Sequence, residues 1–133
     1  MTRDVFELGY RYVLPSIRRM LVISLKERGI TQMKIAQMLG ITQSAVSKYL
    51  NMKRGSLIDL WRYDDIRTEV NRLAEEVIRG MSDEELSIKM MVLALKSMAK
   101  GYVCEFHSKI DPTVNPSSCG VCNKLFQQLV NVS

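Results

Sequence analysis

The twenty residues from Thr31 to Leu50, TQMKIAQMLGITQSAVSKYL, constrain this chain more than any other stretch. Thr31 and Thr42 each stand before a short run of helically spaced apolar residues. A threonine oxygen there accepts a backbone N–H that the first helical turn leaves unpaired. The spacing predicts helices over Gln32–Leu39 and Gln43–Asn51. Ile35, Leu39, Ile41, Val46 and Leu50 supply a small shared core, and Ala36 is small where the two helices cross closely. Gly40 falls between them, where a left-handed backbone conformation is needed to turn the chain.

Helical spacing also dominates the rest of the chain, and strand-like alternation is scarce. Leu14, Ile17, Leu21 and Leu25 share one face of a helix whose first turn suits Pro15 and which Gly29 ends. Residues 52–62 read as a loop or hinge. Ile66, Val70, Leu73 and Val77 mark a further amphipathic helix, stopped by Gly80. Ser82 and Glu85 have the spacing of a capping box, opening a helix to about Lys100. That helix is apolar over a wide arc through Leu86, Met90, Met91, Leu93, Leu95 and Met98. Residues 102–122, with Pro112 and Pro116, read as irregular. A last helix is expected from about Asn123 to Asn131, burying Leu125, Phe126, Leu129 and Val130. The fold class is therefore all-α, divided into an N-terminal module over 1–62 and a helical C-terminal module over 63–133.

Charge follows the same division. Residues 1–62 hold 11 Lys and Arg against 4 Asp and Glu, whereas residues 63–133 hold 8 against 10. A basic half joined to a mildly acidic one suits a polyanion-binding unit followed by something else.

The block Thr31–Leu50, the stretch Leu14-Pro15-Ser16-Ile17-Arg18 and the triplet Lys53-Arg54-Gly55 resemble the phage-repressor-like (XRE-type) helix-turn-helix regulators. The resemblance is closer still to a set of predicted archaeal transcriptional regulators, and it covers roughly residues 10–60. It implies a DNA-binding transcriptional regulator whose second short helix lies in the major groove of double-stranded DNA. Carried over by position, the DNA-contacting residues are Gln32, Thr42, Gln43, Ser44, Ser47, Lys48, Lys53 and Arg54. Gln43, Ser44, Ser47 and Lys48 face base edges, and a glutamine can pair bidentately with adenine. The resemblance implies that Gln32 contacts a phosphate and braces Gln43. Lys53 and Arg54, with Arg18 and Arg19 as further candidates, hold the sugar-phosphate backbone and set register rather than sequence.

All three cysteines and the one histidine fall in the pattern Cys104-x2-His107-x11-Cys119-x2-Cys122. Two-residue spacers let both members of a pair point at one ion, as in tetrahedral zinc sites. The segment has few apolar residues, so a metal would supply order that a core cannot. A zinc ion with Cys3His ligation is the first reading. An iron–sulfur cluster is the second. A thiol switch through Cys119 and Cys122 is the third.

No phosphate-binding glycine loop, nucleophile elbow or pair of carboxylates in a plausible pocket is present, so an enzyme is not expected. Glu105 lies inside the first Cys/His pair and reads as a solvated side chain. The longest apolar runs, Met20–Ile23 and Met90–Leu95, are too short to span a bilayer, and the expectation is a cytoplasmic protein. A homodimer is expected, since single helix-turn-helix units bind weakly and the arc over residues 86–98 exceeds what one short neighbour covers. The alternative function is a structural zinc protein acting as a protein-interaction adaptor without specific DNA readout.

Overall fold

A computed structural model describes residues 4–132 and, among these, forms only helical regular structure. Asp4 caps the first turn by accepting N–H bonds from Phe6 (2.9 Å) and Glu7 (3.4 Å). The chain then runs through α1 (Val5–Leu8), a π turn (Gly9–Val13) and α2 (Leu14–Glu27) without leaving helical conformation. Pro15 does occupy the first turn of α2. The residues before it, where the sequence predicts no helix, are helical as well. Proline within a helical run removes one N–H and crowds the carbonyl four residues back. The wider π turn just before it is a known way of absorbing that defect. The Ser16 hydroxyl donates to the Tyr12 carbonyl at 2.9 Å, satisfying an acceptor in the widened turn.

Helix α2 is the centre of the molecule. Ile17, Leu21, Val22 and Leu25 are wholly buried, and α3 (Gln32–Leu39), α4 (Gln43–Leu50), α5 (Asp64–Arg79) and α6 (Asp83–Ala99) all pack on it. Ser24 Oγ donates to Asn71 Oδ1 at 2.8 Å, and Arg28 donates to Ser24 Oγ and pairs with Glu75 at 3.5 Å, fastening α2 to α5. The buried cluster runs from Leu8 to Val103, including residues on both sides of position 62.

Helices α5 and α6 form an antiparallel hairpin. Its buried faces carry Ile66, Val70, Leu73 and Val77 on one helix and Leu86, Met90, Leu93 and Met98 on the other. Ser82 caps α6 by accepting the Glu85 N–H at 3.1 Å, at the predicted position. Lys89–Glu76 (2.5 Å), Lys96–Glu69 (2.7 Å) and Lys100–Asp65 pair across the hairpin. Lys100 holds the Asp65 carboxyl below its usual range. Met91 and Leu95, part of the apolar arc, stay about half exposed together with Ile88 and Val92.

The C-terminal segment departs from expectation in three ways. Residues expected to be irregular contain a helix, α7 (Cys104–Ile110). Its apolar spacing at Val103, Phe106 and Ile110 was legible, but a histidine fills the buried slot at 107. The last helix, α8 (Val121–Val132), begins earlier than Asn123. Leu125 and Leu129 are exposed, and of the residues expected to be buried there only Phe126 packs on the core. The Val130 side chain lies outside the described residues.

The loop after α4 is held by an unusually close approach. Met52 N–H donates to the Tyr49 carbonyl (3.3 Å) and Lys53 N–H to the Lys48 carbonyl (2.8 Å), with Met52 itself left-handed at φ 61°. This is the bonding pattern that usually ends a helix with glycine. Gly55, also at positive φ (69°), then lies against α2. A Cβ there would sit 2.3 Å from the Pro15 carbonyl oxygen and 2.9 Å from Arg19 Cβ. At Gly40 the φ is equally left-handed (64°), but a Cβ would meet nothing within 4 Å. Gly40→Ala should therefore cost only the conformational penalty, about 1–2 kcal/mol. Gly55→Ala adds a backbone clash and should cost clearly more than that in urea unfolding, with equal losses at the two positions as the contrary result.

Candidate nucleic-acid interface and Cys/His cavity

The helix pair forms as its residues dictate. Thr31 Oγ1 accepts the Lys34 N–H (3.2 Å), and Thr42 Oγ1 accepts the Ala45 N–H (3.0 Å). Gly40 takes the left-handed conformation that lets α4 turn away from α3. Ile35 and Val46 are wholly buried between the helices, while Leu39, Ile41 and Leu50 are half-buried. Tyr49 and Ala45, absent from the expected core, are buried there too. Tyr49 stands on α4, which packs on both α2 and α3.

Burying Ala45, Val46 and Tyr49 turns the opposite face of α4 outward. Gln43, Ser44 and Lys48 are exposed and Ser47 is half-buried. Thr42 is exposed as well, but its hydroxyl is engaged as the cap. Asn51 extends this face and was not singled out from sequence, although the four-residue steps 43, 47 and 51 carry the signal. Its Nδ2 donates to Ser47 Oγ at 3.2 Å. Gln32 is half-buried at the start of α3. Lys53 and Arg54 are exposed on the loop that follows α4, and among the described residues neither has a carboxylate partner. Arg18 is half-buried; Arg19 is also half-buried, with its Nε enclosed and unpartnered.

The four Cys and His side chains, 18 residues apart at their extremes in the sequence, line one cavity of about 280 Å³. Its walls include Leu8 and Met98 on the core side and Pro116 on the loop side. Three of the four reach it from helices: Cys104 and His107 stand on α7, and Cys122 on α8. Cys122 lies within the first turn of α8 rather than before that helix, and Cys119 precedes it. His107 is buried, and its Nε2 has no hydrogen-bond partner. Asp111, one turn further on, is also buried; its Oδ1 accepts from Thr113 while its Oδ2 is unpartnered. Burial and the neighbouring sulfurs push the Cys122 thiol up to about 11 and raise Cys104 as well. All three cysteines are free. Among the described residues, no three His, Cys, Asp or Glu side chains come close enough as they stand to hold one ion. The donor set nonetheless fits a soft or borderline cation, with three sulfurs and an imidazole nitrogen that lacks any other partner. Glu105 points away and pairs with Arg62 at 3.9 Å, both well exposed.

Comparison with known families identifies a helix-turn-helix over residues 24–61, spanning the end of α2, both short helices and the loop after them. This match supports the phage-repressor-like reading and a DNA-binding transcriptional regulator, a class that is generally not enzymatic. No curated protein and no solved structure matches the chain. Among the described residues, no helix is long and apolar enough to cross a membrane.

Proposed function

We propose that the chain is a sequence-specific transcriptional regulator that reads the major groove with α4 and acts as a dimer. The observation that carries this reading is the outward face of α4. Its exposed residues are polar or basic, without an apolar anchor of the kind a protein-binding helix presents. Gln43 and Ser44 stand at the N-terminal end of α4, where helix-turn-helix proteins meet base edges. Lys53 and Arg54, without carboxylate partners, are available to phosphates. Gln43→Ala should cost about 1–3 kcal/mol on the preferred site and relax preference at one base pair, measured against a panel of substituted duplexes. Unchanged affinity and preference would place the base-reading surface elsewhere.

The second copy belongs on α6. Ile88, Met91, Val92 and Leu95 form an exposed apolar stripe at the spacing of a helix-packing seam. Antiparallel pairing about the middle of the stripe opposes the two helix dipoles. In this division of labour residues 1–62 read DNA and residues 63–133 set half-site spacing, so the preferred site is an inverted repeat. Val92→Glu should convert a dimer to a folded monomer in sedimentation, because the side chain faces solvent in the single chain. A wild-type monomer at working concentration would end the dimer reading.

We further propose that Cys104, His107, Cys119 and Cys122 hold a zinc ion that staples α7 to the start of α8. The unpartnered His107 Nε2 and the shared cavity support it. Zinc is preferred to an iron–sulfur cluster because three thiolates and one imidazole form a complete tetrahedral set. Purified protein should be colourless, with about one zinc per chain. Cys119→Ser should lower metal content and raise hydrogen exchange over 102–132 more than over 31–51. Visible absorption with bound iron would favour the cluster, and a metal-free chain with Cys119 and Cys122 disulfide-bonded would favour the thiol switch.

A further inference from the structure

The loop after α4 and the N-terminal helical run enclose a second open groove of about 680 Å³, outside the Cys/His cavity. Arg11, Arg18, Lys53 and Arg54 line it, with Tyr10 at its edge. Tyr10 and Arg11 belong to the π turn, and with Arg18 they precede the stretch recognised as helix-turn-helix. The groove exists because Gly55 lets the loop backbone press against Pro15, bringing Lys53 and Arg54 beside the two arginines.

Its charge is strongly one-sided. Of these cations only Arg11 has an acidic partner among the described residues, the part-exposed Glu7 at 3.1 Å. Among the described residues Arg18, Lys53 and Arg54 have no ion-pair partner. Tyr10 is 75% exposed, so its hydroxyl is free to face a ligand oxygen rather than the core. Arg18, Lys53 and Arg54 converge without a carboxylate of their own, beside an Arg11 that has only Glu7, an arrangement costly to the fold and suited to a polyanion.

Position identifies which polyanion. Tyr49, on the groove wall, stands six residues along α4 from Gln43, or roughly 9 Å at helical rise. The major groove is about 12 Å wide. A helix that meets base edges at Gln43 thus carries this basic groove to the sugar-phosphate strand at the groove wall.

We infer that the N-terminal π turn and the loop after α4 together clamp the DNA backbone, with Arg11, Arg18 and Tyr10 as phosphate contacts beyond the helix-turn-helix itself. This rests on the DNA-binding reading above. These contacts add affinity without sequence preference.

The test is fluorescence anisotropy of the full chain on a random-sequence duplex across a salt series. Arg11→Ala and Arg18→Ala should each weaken binding about threefold or more and lower the salt slope by about 1. Arg11→Lys should keep the slope. On a site selected by the wild type, base preference should be unaltered. Arg11 is exposed, and thermal melting verifies that the variants are folded; Arg11→Gln replaces any alanine variant that is not. If Lys53→Ala lowers the slope but neither arginine variant does, the clamp is wrong and the DNA reading stands. If Arg11→Ala changes base preference, its assignment to phosphate is wrong. If the wild type binds no duplex even at low salt, the DNA reading itself falls, and the clamp with it.

Discussion

Burial of α2 is the constraint on which the rest of the molecule depends. Ile17, Leu21, Val22 and Leu25 lose all contact with water, and each such side chain contributes roughly 1.5–3 kcal/mol when fully buried. No single neighbour encloses this helix. Helices α3, α4, α5 and α6 all pack on it, and α6 also packs on the π turn. The short helices α3 and α4, at eight residues each, are too short to be stable alone. Their orientation is therefore inherited from the surface of α2 on which they rest.

That dependence explains how a polar face of α4 is presented to solvent. Helix α4 buries Ala45, Val46 and Tyr49 against its neighbours, which fixes its rotation and leaves Gln43, Ser44 and Lys48 outward. The same anchoring positions the following loop, where Gly55 lies against Pro15 and Met52 accepts a left-handed backbone. Surface that binds a polyanion cannot also be optimised for the isolated fold, since unpaired cations repel one another. The α5–α6 hairpin is the opposite case. Its lysines are matched to glutamates and an aspartate across the helix pair, and its leftover apolar stripe faces solvent.

The C-terminal segment is organised differently. Helix α7 is short, the loop over 111–120 is held by backbone and side-chain turns at Asp111 and Asn115, and α8 leaves Leu125 and Leu129 exposed. Two buried polar atoms, His107 Nε2 and Asp111 Oδ2, lack partners in this region. Buried groups of this kind are costly, and of the two residues it is His107 that lines the cavity shared by the three cysteines.

The all-α class, the two short helices with their threonine caps, the turn at Gly40 and the capping box at Ser82 were determined by the sequence itself. Each rests on interactions within a few residues: an oxygen reaching an N–H three positions on, a left-handed glycine, an apolar step of three or four. Other features required the fold. The π turn before Pro15, the burial of Tyr49 and of His107, and the half-exposed stripe on α6 all depend on which neighbour lies across a helix. Helix α7 has legible apolar spacing, but the burial of its histidine is decided only by how α7 packs. The basic groove joins residues 10–18 to residues 49–57, and no local pattern brings them together. Only the contact of Gly55 with the Pro15 carbonyl does so, because that position has no side chain to hold the two backbones apart.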